Sequence, residues 1–238
     1  MQFSNTIDKT GIVEQARIMM RVDATQWPTS RIVNSVNNYL DTVTGYAIGN
    51  DRNFQWDDTN HSKLPIGTTN LVANQSDYSF LADEQGNSIL GLTRIDILDA
   101  SGQYRRLTLR DMDANKQAED ELQRTAGLPT EYDKIADNII RLTPKPIASV
   151  TAGLRFFFQR TASYFTALDT TKNPGVAPLL HRGFVIAAAY DGALTLGLAN
   201  TGILSVEMQR EEAKMKLYFA ARNQDVNKSL NFRVESNK

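Results

Sequence analysis

The chain has 238 residues, 26 Lys and Arg against 27 Asp and Glu, and a formal net charge of -1. That length can bury about 70% or more of the unfolded surface, while the balanced charge excludes the basic excess of a tight nucleic-acid binder. The chain lacks cysteine, which removes disulfides, thiolate-ligated zinc and thiol catalysis together and suits assembly in a reducing cytoplasm. The opening MQFSNTIDKTGI has no basic segment followed by an apolar run, and no stretch approaches the roughly 18 uncharged apolar residues of a membrane span. A soluble protein without a cleaved signal is expected.

Between Gly11 and Val22, Ile12, Ala16, Met19 and Met20 recur at helical spacing with Glu14, Arg17 and Arg21 elsewhere, which predicts an amphipathic helix. Trp27-Pro28-Thr29-Ser30 interrupts it, and Pro28 suits the first turn of a second helix because its missing N–H has no intrahelical partner there. Ile32, Val36, Leu40, Val43 and Ala47 mark one face of that helix. Asn34, Asn37, Asn38 and Asp41 fill much of the other, and such weak helix formers require neighbouring packing to hold them. Residues 49–70 are rich in Asn, Asp, Thr and Gly and read as a long polar connection, an uncommon feature that often has a function.

Short β-prone pieces follow from Leu71 to Leu109: LVAN, DYSFLAD, ILGLTRIDILD and YRRLTLRD. In the third, Ile95 and Ile97 fall with Thr93 on one face, and Leu92, Arg94, Asp96 and Leu98 on the other. Asp99-Ala100-Ser101-Gly102 supplies a tight turn into Tyr104–Leu109, which predicts a hairpin. Asp113 to Gly127 reads as a short exposed helix, after which DNIIRLTPKP and SVTAGLRFFFQRTASYF return to strand. In the latter Leu154, Phe156 and Phe158 alternate with Arg155, Phe157 and Gln159, giving one apolar and one mixed face.

Pro174 and Pro178 bracket Gly175-Val176-Ala177 ahead of a run from Leu179 to Ala189 that is apolar around most of a helical circumference, hence buried on several sides. Its small residues from Gly183 to Gly197 predict close approach by Ile32, Val36 and Leu40 and by the last helix. That last helix, Ile203 to Arg222, carries Ile203, Val206, Met208, Ala213, Leu217 and Ala220, with charged residues forming a solvated face. From Asn223 to Lys238 the composition is that of a disordered tail, yet Leu230, Phe232 and Val234 alternate with polar residues as a strand docking on a partner would.

Few residues point to chemistry. His181 follows Pro178 with no nucleophile-elbow pattern around Ser163 or Asp169, so a hydrogen bond to a backbone carbonyl or a neighbouring chain is its expected role. His61, near Asp57 and Asp58, is weak as a cation ligand, and no metal is expected. Arg105, Arg106 and Arg110 would either meet phosphate or guard a strand edge, and the adjacent Asp111 and Asp113 favour the edge. Phe156, Phe157, Phe158, Tyr164 and Phe165 suggest a sugar-stacking surface, but aromatics in strands are usually core. GxGxxG, P-loop, HExxH and GxSxG patterns are all missing, and the carboxylate runs Asp57-Asp58 and Glu119-Asp120-Glu121 lack an apolar setting. Neither catalytic residues nor a cofactor are expected.

The order WPTSRIVNSVNNYLDTV, TTNLVANQSDYSF, EYDKIADNIIRLTPKP, SVTAGLRFFFQR and GVAPLLHRGFVIAAAYDGAL resembles phage head-to-tail adaptor proteins, connectors that form a ring beneath the portal. The resemblance implies an α+β fold, a helical bundle built from N- and C-terminal helices with a central β-rich insertion. The expected organisation is 1–48 for the N-terminal helices, 49–170 for the insertion with its long loops, 171–222 for the C-terminal helices and 223–238 for an extended docking tail. The resemblance also implies a non-enzymatic virion protein assembled in the host cytoplasm as a homo-oligomeric ring, commonly twelvefold. Its partners would be the portal, a downstream neck or tail protein, and double-stranded DNA passing without tight binding, with no membrane involved. A channel for a polyanion should avoid basic lining, so Glu207, Glu211 and Glu212 are lumen candidates and Leu230, Phe232 and Val234 the docking residues. A second reading is a carbohydrate- or receptor-binding β module of a phage tail, which predicts a β-sandwich with exposed aromatics; a hydrolase comes third.

Overall fold

A computed structural model describes residues 1–50, 66–83, 86, 88–110 and 123–224. The chain divides into two compact units, Met1–Phe54 with Tyr164–Lys238, and Gln55–Ser163.

The first unit holds α1 (Ile12–Met20), α2 (Thr29–Asn50), a 3-10 turn (Pro178–Leu180), α3 (His181–Leu196) and α4 (Thr201–Gln224). Pro28 stands directly before α2, where its fixed φ and missing donor cost nothing. Gly197 closes α3 in the left-handed conformation at φ 64°, a geometry glycine adopts without penalty. α3 is the hub: Phe184, Ile186, Ala188 and Ala189 are fully buried, and α1, α2 and α4 all pack on it. Its glycines admit these neighbours, since a Cβ at Gly183 would stand 2.7 Å from the Tyr39 hydroxyl and one at Gly192 would collide with Met20 Sδ. The small-residue face therefore receives α1 and Trp27 as well as the expected α2.

The second unit holds β1 (Ile66–Leu71), β2 (Asp77–Ser79), β3 (Ile89–Leu98), β4 (Tyr104–Arg106), β5 (Thr108–Leu109), β6 (Glu131–Ala136), β7 (Ile139–Thr143) and β8 (Val150–Arg160). They form two four-stranded sheets, ordered β1-β8-β3-β4 and β2-β7-β6-β5. Register places Ile95 opposite Phe156 and Ile97 opposite Leu154, and these four residues share one core with Tyr78, Tyr132, Ile140 and Leu142 of the other sheet. The predicted hairpin joins β3 to β4, its turn organised by the Asp99 carboxylate, which accepts from Ser101 N at 2.8 Å and Gln103 N at 3.0 Å. What reads as one strand from Tyr104 to Leu109 is two, because the buried Leu107 carries the chain from the first sheet to the second.

Several expectations are corrected. The described residues form a sheet-rich α+β protein of four α-helices and eight strands in two sheets, not a helical bundle of N- and C-terminal helices carrying an insertion. A bundle requires each helix to turn one apolar stripe to a common seam. Here α1 is only 9 residues long and α3 is buried around most of its circumference, while α4 leaves Ile203, Val206 and Leu217 between 65% and 72% exposed. Strand also extends further than the sequence predicts: β1 occupies the end of the stretch 49–70 that reads as a polar connection. Residues 123–127 of the expected Asp113–Gly127 helix form turns and a bridge from Gly127 to Pro146.

Candidate functional site

His181 sits at the start of α3 and is 4% exposed. Its Nε2 lies 2.9 Å from the Val176 carbonyl, the backbone bond expected of it, and its Nδ1 lies 2.5 Å from the Met1 amine. With Nε2–H donating and Nδ1 accepting, the ring is neutral. Burial is the main influence lowering its pKa and the Met1 charge adds to it, while the Val176 bond opposes them. Both ring nitrogens are thereby engaged in fixing chain segments.

The outward face of the first sheet carries the densest polar constellation. Asp96 of β3 has a fully buried side chain, with Arg94 Nε at 2.6 Å and Arg155 Nη2 at 2.7 Å. Burial would raise the Asp96 pKa, but hydrogen bonds and charge from the two arginines outweigh it and hold the carboxyl below its ordinary range. The same guanidiniums lie over the Phe157 ring at 5.0 Å and 5.3 Å, and Arg155 also stacks on Tyr104 at 4.0 Å. Tyr104 in turn donates its hydroxyl across β3 to the Ala152 carbonyl at 2.8 Å. Phe157, on the mixed face of β8, is thus only 9% exposed. Sequence reasoning assigned Arg155 and Phe157 to one face but missed Asp96 as the anchor, because nothing local marks a strand aspartate as buried.

The remaining candidates resolve simply. β4 and β5 are the outer strands of their sheets. Arg105 pairs with Asp99 at 2.6 Å, Arg110 with Glu131 at 2.6 Å, and Arg106 is exposed, an arrangement suited to guarding those edges. Phe156, Phe158 and Phe165 are buried and Tyr164, 49% exposed, gives its hydroxyl to Asp41, so no shelf of aromatics for a sugar is present among the described residues. No group of three or more His, Cys, Asp or Glu among them could hold a metal ion. No helix among them is long and apolar enough to cross a membrane.

α4 brings a different feature. Leu204, Met215 and Phe219 are buried against the unit, as is Glu211, which is 3.3 Å from Lys214. On the opposite side Ile203, Val206, Ala213, Leu217 and Ala220 are exposed. With Arg210 among them, these positions alternate three and four apart, a stripe of five apolar residues and one arginine spanning about 25 Å at 1.5 Å per residue. Of the lumen candidates, Glu207 bridges Arg182 at 3.3 Å and Arg210 at 3.6 Å, Glu212 is half-buried, and the buried Glu211 is unsuited to lining a channel. Leu230, Phe232 and Val234, with His61 and its neighbouring aspartates, lie outside the described residues.

No protein-family model matches this chain, and comparison with curated proteins gives no match.

Proposed function

We propose that the chain is a structural virion protein, a head-to-tail adaptor that assembles in many copies beneath the portal, joins the capsid to neck or tail components and lets DNA pass. The observation that carries this reading is the second apolar face of α4, with Ile203, Val206 and Leu217 exposed on a helix whose other face is already packed. Exposed apolar side chains gathered on one face of a helix are characteristic of a surface that another chain covers. The order of sequence pieces that resembles the adaptor family supplies the kind of assembly, a ring, commonly of twelve. The work is mechanical: one face meets the portal, another offers a platform for the next component, and the near-neutral charge lets a polyanion through without trapping it. Glu207 and Glu212 are the lining candidates that remain at the surface of α4.

Leu230, Phe232 and Val234 are proposed to add as a strand to the portal or an adjacent copy. Burying three such side chains contributes about 5–9 kcal/mol gross, close to the roughly 5–10 kcal/mol of ordering five residues. One tail alone is then near break-even, and many tails in a ring hold firmly. The test is mass photometry and negative-stain imaging of the chain alone and with portal protein, using the full chain and one lacking residues 224–238. Ring-shaped complexes with portal are expected for the full chain and their loss on truncation, with an unchanged melting curve. A full chain that never associates with portal would refute the adaptor reading; truncation without effect would refute the tail.

A further inference from the structure

The four strands of the first sheet hold a single acidic residue, Asp96, against five arginines, Arg94, Arg105, Arg106, Arg155 and Arg160. Two of the five have a carboxylate elsewhere: Arg105 pairs with Asp99 of the turn, and the fully buried Arg160 lies 3.5 Å from Asp83. Arg94, Arg106 and Arg155 are left with Asp96 alone. Three positive charges against one negative give a surplus of +2 here, although the whole chain carries -1. Register gathers that surplus on one side of the sheet. Thr68, Arg155, Asp96 and Arg106 stand opposite one another in a row across β1, β8, β3 and β4, and side chains in such a row share a face. Arg94, two residues before Asp96 on β3, reaches the same carboxylate.

What each guanidinium still offers follows from what Asp96 takes. Its Oδ1 accepts from Arg94 Nε at 2.6 Å, and its Oδ2 accepts from Arg155 Nε at 3.3 Å and Nη2 at 2.7 Å. A guanidinium carries five N–H donors in one plane. The Nη1 and Nη2 groups of Arg94 and the Nη1 group of Arg155 therefore keep donors with no acceptor among the described residues. Arg106, exposed beside them, has no ion pair there. These donors are also within reach of solvent, the Arg94 and Arg155 side chains being 42% and 28% exposed. Stacking on Phe157 and Tyr104 fixes the planes of Arg94 and Arg155, so little ordering remains to be lost when their free ends bind. Covering Phe157 uses the faces of these arginines and leaves their ends unused. Guanidinium ends suit an oxyanion. A tetrahedral phosphate presents oxygens in several directions and can accept from more than one guanidinium, whereas a carboxylate presents a single edge. The phosphate charge near neutral pH, about -1.5 to -2, also balances the surplus.

We infer that Arg94, Arg106 and Arg155 form a phosphate-binding site on the outward face of the first sheet, with Asp96 holding two of the three arginines in place. The site stands independently of the adaptor reading. Its phosphate comes from one of two sources, a small soluble phosphate or the backbone of double-stranded DNA, and because the arginine ends are exposed, binding is weak and falls as salt rises. The probes are inorganic phosphate and a short mixed-sequence DNA duplex, added to the full chain. At constant ionic strength, phosphate should shift the side-chain N–H resonances of Arg94, Arg106 and Arg155 saturably, and acetate at the same concentration should not. Arg106→Gln removes a donor that holds nothing else in place and should weaken phosphate about tenfold with an unchanged melting temperature. Arg105→Gln, whose partner is Asp99, should leave the affinity as it is. A duplex that displaces the phosphate identifies DNA as the source; a duplex that does not compete identifies a small soluble phosphate. The site is overturned by the absence of a saturable shift, by an equal response to acetate, by undiminished binding in Arg106→Gln, or by equal weakening in Arg105→Gln.

Discussion

The outward faces of the first sheet and of α4 both carry large apolar side chains, yet only one is closed. Over β8, Phe157 is roofed by Arg94 and Arg155, whose charges are anchored on the buried Asp96. Along α4, Ile203, Val206 and Leu217 have no such cover. The difference lies in what surrounds each apolar group. A sheet lets long arginines from neighbouring strands lie flat across a ring. Position for position, α4 offers Arg210, Lys214 and Lys216, of which Lys214 is drawn to Glu211 and the Leu179 carbonyl and Lys216 to the Tyr46 ring. Charged residues are present at both places. Where they are directed inward over an apolar group the surface is closed within the chain; where they are directed elsewhere, the apolar face stays exposed.

The strongest way to break this contrast is to open the closed face. Asp96→Ala leaves Arg94 and Arg155 without their shared carboxylate and should cost about 3 kcal/mol, toward the lower end for a broken buried pair because both arginines reach solvent. Urea unfolding followed by circular dichroism measures it, and an unchanged midpoint would show the roof to be ornamental. Overpacking the hub should come next: Ala188 is fully buried, so Ala188→Leu should destabilise by about 1–3 kcal/mol, read as a lower melting temperature.

Acid should separate the two units. Burial lowers the His181 pKa, so as pH falls below its ordinary 6.5 the unfolded chain binds the proton first and the helical unit loses stability until the folded pKa is passed. Burial works against the charged Asp96, but the Arg94 and Arg155 bonds prevail and its pKa is lowered. The stability it contributes is complete above the ordinary 3.8 and is lost only as pH falls through the depressed value. Amide exchange at pH 7.5 and 5.5 should therefore loosen α3 before β3, and His181→Gln should flatten the response of α3. The smallest effect on stability is expected from Leu217→Asp, within about 0.5 kcal/mol of the parent because the position is exposed. An exposed position that nonetheless cost several kcal/mol would have to be packed within its own chain, erasing the contrast.

How far this could be read from sequence depended on whether an element used one face or two. The alternation of Leu154, Phe156 and Phe158 with Arg155 and Phe157 describes β8 as it stands, since pleating assigns sides by parity alone. Pro28 before α2 and the Asp99–Gly102 turn were legible because their local chemistry leaves few alternatives. α4 was not. Grouping Ile203, Val206, Met208, Ala213, Leu217 and Ala220 mixed the outward stripe with Met208 of the inner one, and overlooked Leu204, Met215 and Phe219 as the packed side. Two apolar stripes on opposite faces blur the helical period that would reveal either.

The crossing of Tyr104 and Arg155 above β3 has a mechanical meaning. β4 is a sheet edge of three residues, and a ribbon that short would ordinarily peel from its end one hydrogen bond at a time. Tyr104 skips its immediate neighbour to reach Ala152, while Arg155 skips it in the other direction to lie on Tyr104. Lifting β4 therefore requires releasing a strand two places away, which couples β4, β3 and β8 into a laminate that opens together. A force applied to this edge is met by the thickness of three strands instead of the weakness of its outermost one.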